Sequence, residues 1–348
     1  MNRPELPRHI LVSRTDKIGD LLLSLPVFQT LKDSFPQTKI TALVSPYAQE
    51  IVRGHPSIDA VELLKPEEGV FDLIRRFRQL NPDVFIALYP RPLIALAAWW
   101  TGIPMRIGTA FRWYSFSFNS KIKVHRSVCD RHEAEYNLDL VRPLHPDRVA
   151  EKIIFPVSKA DQDFADDLLK EKGISKRSRF VAVHPGHKGS ALNWKPERYA
   201  EAIRQLCLRD RLKVVVTAGP DETALIAQIS NFLFNLPQEK KPILLIGECT
   251  LKQLAAVYRR ADCFLSGSTG TMHLAAAVGT PTVALFCPIP ATTPVRWGPW
   301  GNRAVVILPK NLQCPQCQSG SCRKHDPMDA ITLSEVLEAM DRYIGKAR

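Results

Sequence analysis

Three stretches of the chain gather acids, bases, hydroxyls and glycines closely enough to do chemistry. The first is Arg14-Thr15-Asp16-Lys17-Ile18-Gly19-Asp20, between an apolar run and an amphipathic one. Gly19 permits a tight turn, and Asp20 falls at or near a helix start, where the helix dipole favours a carboxylate. An ionised carboxylate at the mouth of a cleft can serve as a general base. It can also simply cap the helix, a place where Asp is common. The spacing is neither that of a P-loop nor that of G-x-G-x-x-G.

The second stretch runs from His184 to Lys195 and carries His187, Lys188, Asn193, Trp194 and two glycines. Its backbone N–H groups, with Lys188 or Lys195, can hold phosphate oxygens. Alternatively it is a solvated basic loop with Trp194 as a packing anchor. The third, Ser266-Gly267-Ser268-Thr269-Gly270-Thr271-Met272-His273, is the most informative. Glycines and hydroxyls here separate a strand from an apolar helix, and the unbonded N–H groups of a helix start bind anions. His273 lies in the first turn and can donate to a phosphate. Asp221 and Glu222 follow a Gly-Pro turn; one can accept from ribose hydroxyls, and Asp221 is expected mainly as a helix cap. Near the end, Cys314, Cys317, Cys322 and His325 offer four zinc-ligand types. Their spacing is cramped for a closed site, so the reading is a loop of reduced thiols with no resident metal or cofactor.

These loops need a frame. Short apolar runs alternate with amphipathic stretches throughout, the signature of parallel sheets covered on both faces. Strands are expected at His9–Ser13, Lys39–Val44, Ala60–Leu64, Asp83–Leu88, Arg179–His184, Lys213–Ala218, Ile243–Ile246, Cys263–Ser266 and Thr282–Phe286. A helix is expected over Asp20–Phe35, kinked or split by Pro26. Thr250-x-x-Gln253 and Thr332-x-x-Glu335 read as capping boxes. The fold class is α/β, with two doubly wound domains over residues 1–160 and 161–330, and a C-terminal helix over 331–348. The hinge falls within the polar stretch Glu151–Lys172. The last helix carries the stripe Leu333, Val336, Leu337, Met340 and Ile344, which must be buried; the first domain is one candidate surface.

At 348 residues the chain suits two domains, and 45% hydrophobic with 24% charged residues excludes wholesale disorder. The net charge of +12 favours a polyanionic partner. Arg75, Arg76, Arg78, Arg91, Arg106 and Arg112 lie near Trp99, Trp100, Trp113 and Tyr114 in the first half. Nucleic-acid binding is conceivable but no nucleic-acid module is recognisable, and a phosphate-bearing acceptor or an anionic leaflet fits the composition as well. The longest apolar run, Leu93–Trp100, is far too short to span a bilayer. The N-terminus has no apolar signal core, so a cytoplasmic protein is expected.

The blocks ILVSRTDKIGDLLLSLP, HPGHKGSALNWKPERYAE and SGSTGTMHLAAAVGTPTVALF, followed by RWGPWGN, resemble in order and spacing glycosyltransferase family 9, the heptosyltransferases. The resemblance covers nearly the whole chain. It implies a GT-B architecture of two facing Rossmann-like domains, and inverting, metal-independent transfer of a heptose or related sugar. The donor would be ADP-heptose or a similar nucleotide-sugar, and the acceptor a phosphorylated glycolipid such as lipopolysaccharide core. Asp20 would be the base. His187, Lys188, Asn193, Lys195, Glu222, Ser268, Thr269, Gly270, Thr271 and His273 would face the donor. Lys17, Gly19, Arg91 and Arg112 would face the acceptor. The enzyme would work in the cytoplasm, at the inner face of a Gram-negative membrane. Leu192 and Ser268 stand where the family often has Lys and Asp. A non-catalytic nucleotide-sugar binder and a nucleotide-sugar 2-epimerase are the alternatives on the same fold.

Overall fold

The structure, a computed structural model, describes residues 6–187, 189, 191–310, 312, 316 and 325–344. The chain forms two compact units, Met1–Pro156 and Val157–Arg348. Cys314, Cys317, Cys322, Lys188 and Ser190 lie outside the described residues.

Unit 1 is built on a parallel sheet of β1 (His9–Arg14), β2 (Lys39–Val44), β3 (Ala60–Leu63), β4 (Val84–Ala87), β5 (Met105–Thr109) and β6 (Ser120–Ile122). The spatial order is β3-β2-β1-β4-β5-β6. Unit 2 repeats the plan with β7 (Arg179–His184), β8 (Leu212–Ala218), β9 (Ile243–Ile246), β10 (Cys263–Gly267), β11 (Thr282–Leu285) and β12 (Ala304–Ile307). Its order, β12-β11-β10-β7-β8-β9, is the same sequence of strands read from the other edge. In each unit the chain winds outward one way from the first strand and then the other way from the fourth. The carboxyl ends of β1 and β4, and of β7 and β10, are therefore switch points, where sheets of this kind hold ligands. Both faces are covered, so β1 is buried along its whole length and β7 everywhere beyond Arg179.

The helix after β1 is split into α1 (Ile18–Leu22) and α2 (Leu25–Ser34). Pro26 has no N–H to give back to Leu22, so the chain turns at Ser24 and restarts with proline in the first turn of α2. Elements not expected from the sequence include β5, β6, β12, the helices Pro92–Thr101 and Lys159–Glu171, and α6 (Glu133–Asp139). Both capping boxes form: the Thr250 hydroxyl accepts from the Gln253 N–H while the Gln253 side chain accepts from Thr250 N–H.

The stripe of the last helix, α13 (Leu333–Asp341), is buried within unit 2. Val336, Ala339 and Met340 are buried in the core of unit 2, beside Tyr199, Ile203 and Leu206 of α8 (Pro196–Cys207). The stripe packs against α8 and the strands β11 and β12. Among the described residues no helix is long and apolar enough to cross a membrane.

Candidate active site

Arg14 ends β1 and is almost fully buried, at 2% exposure. A guanidinium cannot shed its charge, so burial demands anionic partners. Its Nε donates to Asp16 Oδ1 at 2.7 Å and its Nη2 to Asp20 Oδ1 at 2.6 Å. Its Nη1 reaches Glu133 Oε1 at 3.2 Å and Asn137 Oδ1 at 3.1 Å, both on α6. Arg126 lies alongside, donating to Asn137 Oδ1 at 2.8 Å and to the Leu88 carbonyl, just past β4, at 2.9 Å. Asn137 in turn donates to the Leu23 carbonyl and to Ser24 Oγ, each at 3.2 Å. The three carboxylates and two guanidiniums thus sit on the β1/β4 switch point and fix its loops.

Burial disfavours the Arg14 charge, but Asp16, Asp20 and Glu133 outweigh it and raise its pKa. Burial also pushes the Asp16 carboxyl up to about 6; Arg14 opposes that shift and Asp20 adds to it. The Tyr47 hydroxyl donates to the Asp16 carbonyl. Asp20 is not the helix cap: Lys17 occupies that place, and Asp20 sits in the first turn with its carboxylate on Arg14. Its second oxygen, Oδ2, takes no hydrogen bond from a described residue, and its side chain stays 18% exposed. Gly19 is not a tight turn either. It lies inside α1, its carbonyl accepting from Leu23 N–H at 3.0 Å. Lys17, Arg91 and Arg112 are exposed, and Arg91 stacks 5.8 Å from the Tyr89 ring centre. Of the cluster, sequence reading gave a role only to Asp20, with Arg14 and Asp16 quoted in the same loop without one. Glu133, Asn137 and Arg126 went unnoticed, although Glu133 and Asn137 stand four apart, on one face of a helix.

In unit 2, His184 holds the place at the end of β7 that Arg14 holds in β1. Its Nδ1 meets Thr217 Oγ1 at 3.0 Å, and that hydroxyl meets the Tyr258 hydroxyl at 2.8 Å. Its Nε2 is 3.6 Å from Glu222 Oε2. Glu222 accepts from Gly219 N–H at 2.7 Å, so Glu222 rather than Asp221 closes this turn. A side chain at Gly186 would collide with that carboxylate: a Cβ there would lie 2.0 Å from Glu222 Oε1. His187 Nδ1 accepts from the N–H of Gly189, whose φ of +67° is left-handed and suits glycine.

Asn193 is a strut, not a free donor. Its Nδ2 donates to the Pro185 carbonyl and its Oδ1 accepts from the Tyr199 hydroxyl, both at 2.8 Å. Trp194 is the packing anchor, buried and donating to the Ile331 carbonyl at 3.2 Å. Lys195 is the N-cap residue of α8, and its ammonium donates to Asp329 at 2.6 Å. Leu192 packs against the core of unit 2.

The third loop forms as expected. β10 ends at Gly267, Ser268 is half-buried, and Thr269 caps α11 (Gly270–Ala277). Thr269 Oγ1 accepts from Met272 N–H at 3.4 Å and lies 2.7 Å from Thr271 Oγ1. His273 is buried one turn in. Gly267 is needed here because a Cβ would lie 2.3 Å from Asn193 Oδ1. Hydroxyls and first-turn N–H groups thus stand at the β7/β10 switch point, a place suited to phosphate oxygens. His325 is exposed, while the three cysteines proposed beside it fall outside the described residues.

Comparison with known proteins decides the family. The sequence model of glycosyltransferase family 9 (heptosyltransferase) matches residues 70–326. A candidate glycosyltransferase of Haemophilus influenzae is 31% identical over 300 residues, covering 83% of this chain and 85% of its own. The chain belongs to glycosyltransferase family 9. It is a glycosyltransferase of the GT-B fold class. Lipopolysaccharide heptosyltransferase 3 of Escherichia coli K12 is 26% identical, with 94% of this chain and 95% of the relative covered. The fold of a family 9 glycosyl transferase from Veillonella parvula superposes with a TM-score of 0.86 at 20% identity, covering 98% and 99% of the two chains. That of E. coli ADP-heptose lipopolysaccharide heptosyltransferase II gives 0.78 at 21%, covering 96% and 98%. The stretch matched by the family model begins beyond the Arg14–Asp20 loop, so the role of that loop rests on its geometry.

Proposed function

We propose that this family 9 enzyme transfers a heptose or related sugar from a nucleotide-sugar such as ADP-heptose to a lipopolysaccharide core or related surface glycan, with inversion and without a metal. The observation that carries this reading is Asp20 at the β1/β4 switch point, one oxygen on Arg14 and the other turned to no described donor. Oδ2 takes the acceptor hydroxyl proton as that oxygen attacks the anomeric carbon. The C–O bond to the nucleoside diphosphate breaks on the opposite face, which inverts the configuration. The charge growing on the leaving diphosphate goes to the first N–H groups of α11 and to the one hydroxyl of the Thr269–Thr271 pair that does not donate to the other. Such a donor set supplies protein dipoles where other transferases use a cation.

The relatives are named for lipopolysaccharide heptosyl transfer, which supports the donor and acceptor classes. A lipid-borne acceptor places the enzyme in the cytoplasm of a Gram-negative cell, peripheral to the inner membrane.

Asp20→Asn keeps the shape of the side chain and removes the base. Its turnover with ADP-heptose and a truncated lipopolysaccharide acceptor should fall by about 10²–10⁴-fold. The thermal shift induced by ADP should be retained. Wild-type turnover in Asp20→Asn would remove Asp20 as the base, and a retained anomeric configuration in the product would remove inversion.

A further inference from the structure

The loops given a role in transfer lie at the carboxyl ends of strands. The amino-end edge of the second sheet carries a separate feature, a cavity of about 560 Å³. It is lined by the segment leading into β7, by the turn from α8 to β8, and by residues at and just after the 3₁₀ turn Gln238–Lys240 ahead of β9. The three strands are neighbours in the sheet, so their amino ends bring these segments together. The six residues of β7 separate this edge from His184 by roughly 20 Å.

Seven of its thirteen lining residues are arginine or lysine, and one, Glu239, is an acid. Three of the cations have a carboxylate from outside the lining: Arg179 meets Asp262 at 3.2 Å, Lys240 meets Asp210 at 3.4 Å, and Arg209 pairs with Asp341. Lys213 donates to the Glu239 carbonyl at 3.4 Å, which supplies no countercharge. Arg177, Arg211 and Lys241 are exposed and meet no carboxylate among the described residues. Arg211 stands at φ +58°, a left-handed conformation that glycine or asparagine takes at less cost. Leu212 and Val214 are buried in the core of unit 2, so by strand alternation Lys213 between them is turned outward. Burial raises the Cys207 thiol pKa to about 12, and the charges of Lys213 and Lys240, converging on the same cavity, pull against that shift.

Guanidinium and ammonium groups with so little acid among them suit phosphate oxygens, each contact being a charge-assisted hydrogen bond. A single orthophosphate would leave most of these cations without countercharge, so two or more phosphoryl groups fit better. No aromatic side chain lines the cavity, so nothing there stacks on a nucleobase. We infer that the amino-end edge of the second sheet binds a compact soluble oligophosphate, pyrophosphate or a longer chain, through Arg177, Arg211, Lys213 and Lys241. The like charges repel one another, so an anion that neutralises them stabilises the folded chain. This site is distinct from the donor loop at the start of α11, and the inference goes beyond the transfer reaction.

The full-length chain, saturated with ADP to fill the proposed donor site, is titrated calorimetrically with orthophosphate, pyrophosphate and tripolyphosphate. One tripolyphosphate is expected to bind per chain, more tightly than pyrophosphate and far more tightly than orthophosphate, and to weaken as salt screens the charges. Its affinity should fall about tenfold or more in Arg177→Ala/Arg211→Ala/Lys241→Ala, which removes three charge-assisted contacts. The thermal shift induced by ADP should be unchanged in that variant. Arg211→Gly keeps the left-handed turn, so weaker binding there reports the side chain and not the backbone; its thermal denaturation checks folding. Tripolyphosphate binding that ADP competes away, or that the triple variant retains, would overturn the proposal. So would a short single-stranded oligonucleotide that binds more tightly than tripolyphosphate and is lost in the same variant, which would make the edge a nucleic-acid surface. A chain that fails to bind ADP would count against the proposed function, while the variant comparison would still decide this site.

Discussion

Arg14 Nη2 stands 2.6 Å from Asp20 Oδ1, and the same buried guanidinium holds Asp16 and Glu133. The proposed base is therefore tied to the sheet and not to its own loop. Removing the cation would leave carboxylates packed together with too little countercharge. Arg14→Ala is expected to lose about 3–5 kcal/mol of stability, the usual result of orphaning buried charge. Arg14→Lys should lose less, because it keeps the charge but cannot reach Asp16, Asp20 and Glu133 together. Urea denaturation of the two variants measures this; an Arg14→Ala protein as stable as wild type would show that the network is not a fixed unit.

Asp16 gives a pH signature. Its carboxyl is near 6 in the folded protein, mainly through burial, against an ordinary value of 3.8. The folded state thus holds this proton more tightly than the unfolded chain. Its contribution to stability is complete below about pH 4 and is lost as pH rises to about 6, a change on the order of 2–3 kcal/mol. Asp59, Asp83 and Glu335, whose pKa values are lowered, slope the other way at lower pH. Subtracting the pH–stability curve of Asp16→Asn from that of wild type isolates the first effect. Parallel curves between pH 4 and 6 would contradict it.

Gly267 tests the phosphate-side loop. A methyl group there meets Asn193 Oδ1, which cannot swing away without breaking its bonds to Tyr199 and Pro185. Gly267→Ala should cost about 1–3 kcal/mol, the range for overpacking. It should also weaken ADP binding by displacing the start of α11. Adding Asn193→Ala should recover part of the lost stability, giving a non-additive pair in thermal denaturation. Purely additive effects would mean that the two residues do not press on each other.

Much of the frame was readable because its signals are local. Apolar runs such as Arg179–His184 marked strands, and Thr250 with Gln253 marked a helix start three residues wide. The same holds for the Ser268–His273 loop, whose composition alone announces a strand-to-helix turn. What escaped notice depends on contacts between distant residues. Glu133 lies 119 residues from Arg14, and Asp329 lies 134 from Lys195. No periodicity encodes such a meeting. The helix α6 is short and half polar, so its pattern is faint, yet it carries two groups of the cluster. The stripe on α13 demanded burial, but a stripe does not name its partner.

Arg14 also bears on how this scaffold can be altered. All three of its nitrogens are committed, to Asp16, Asp20, Glu133, Asn137 and the Leu88 carbonyl. None of these partners lies in the exposed segment around Arg112. That segment can be exchanged for another of matching ends without moving the carboxylate. The position of the proposed base is therefore set from inside the sheet, and rewriting the outer surface of the first unit is expected to leave that carboxylate at its address.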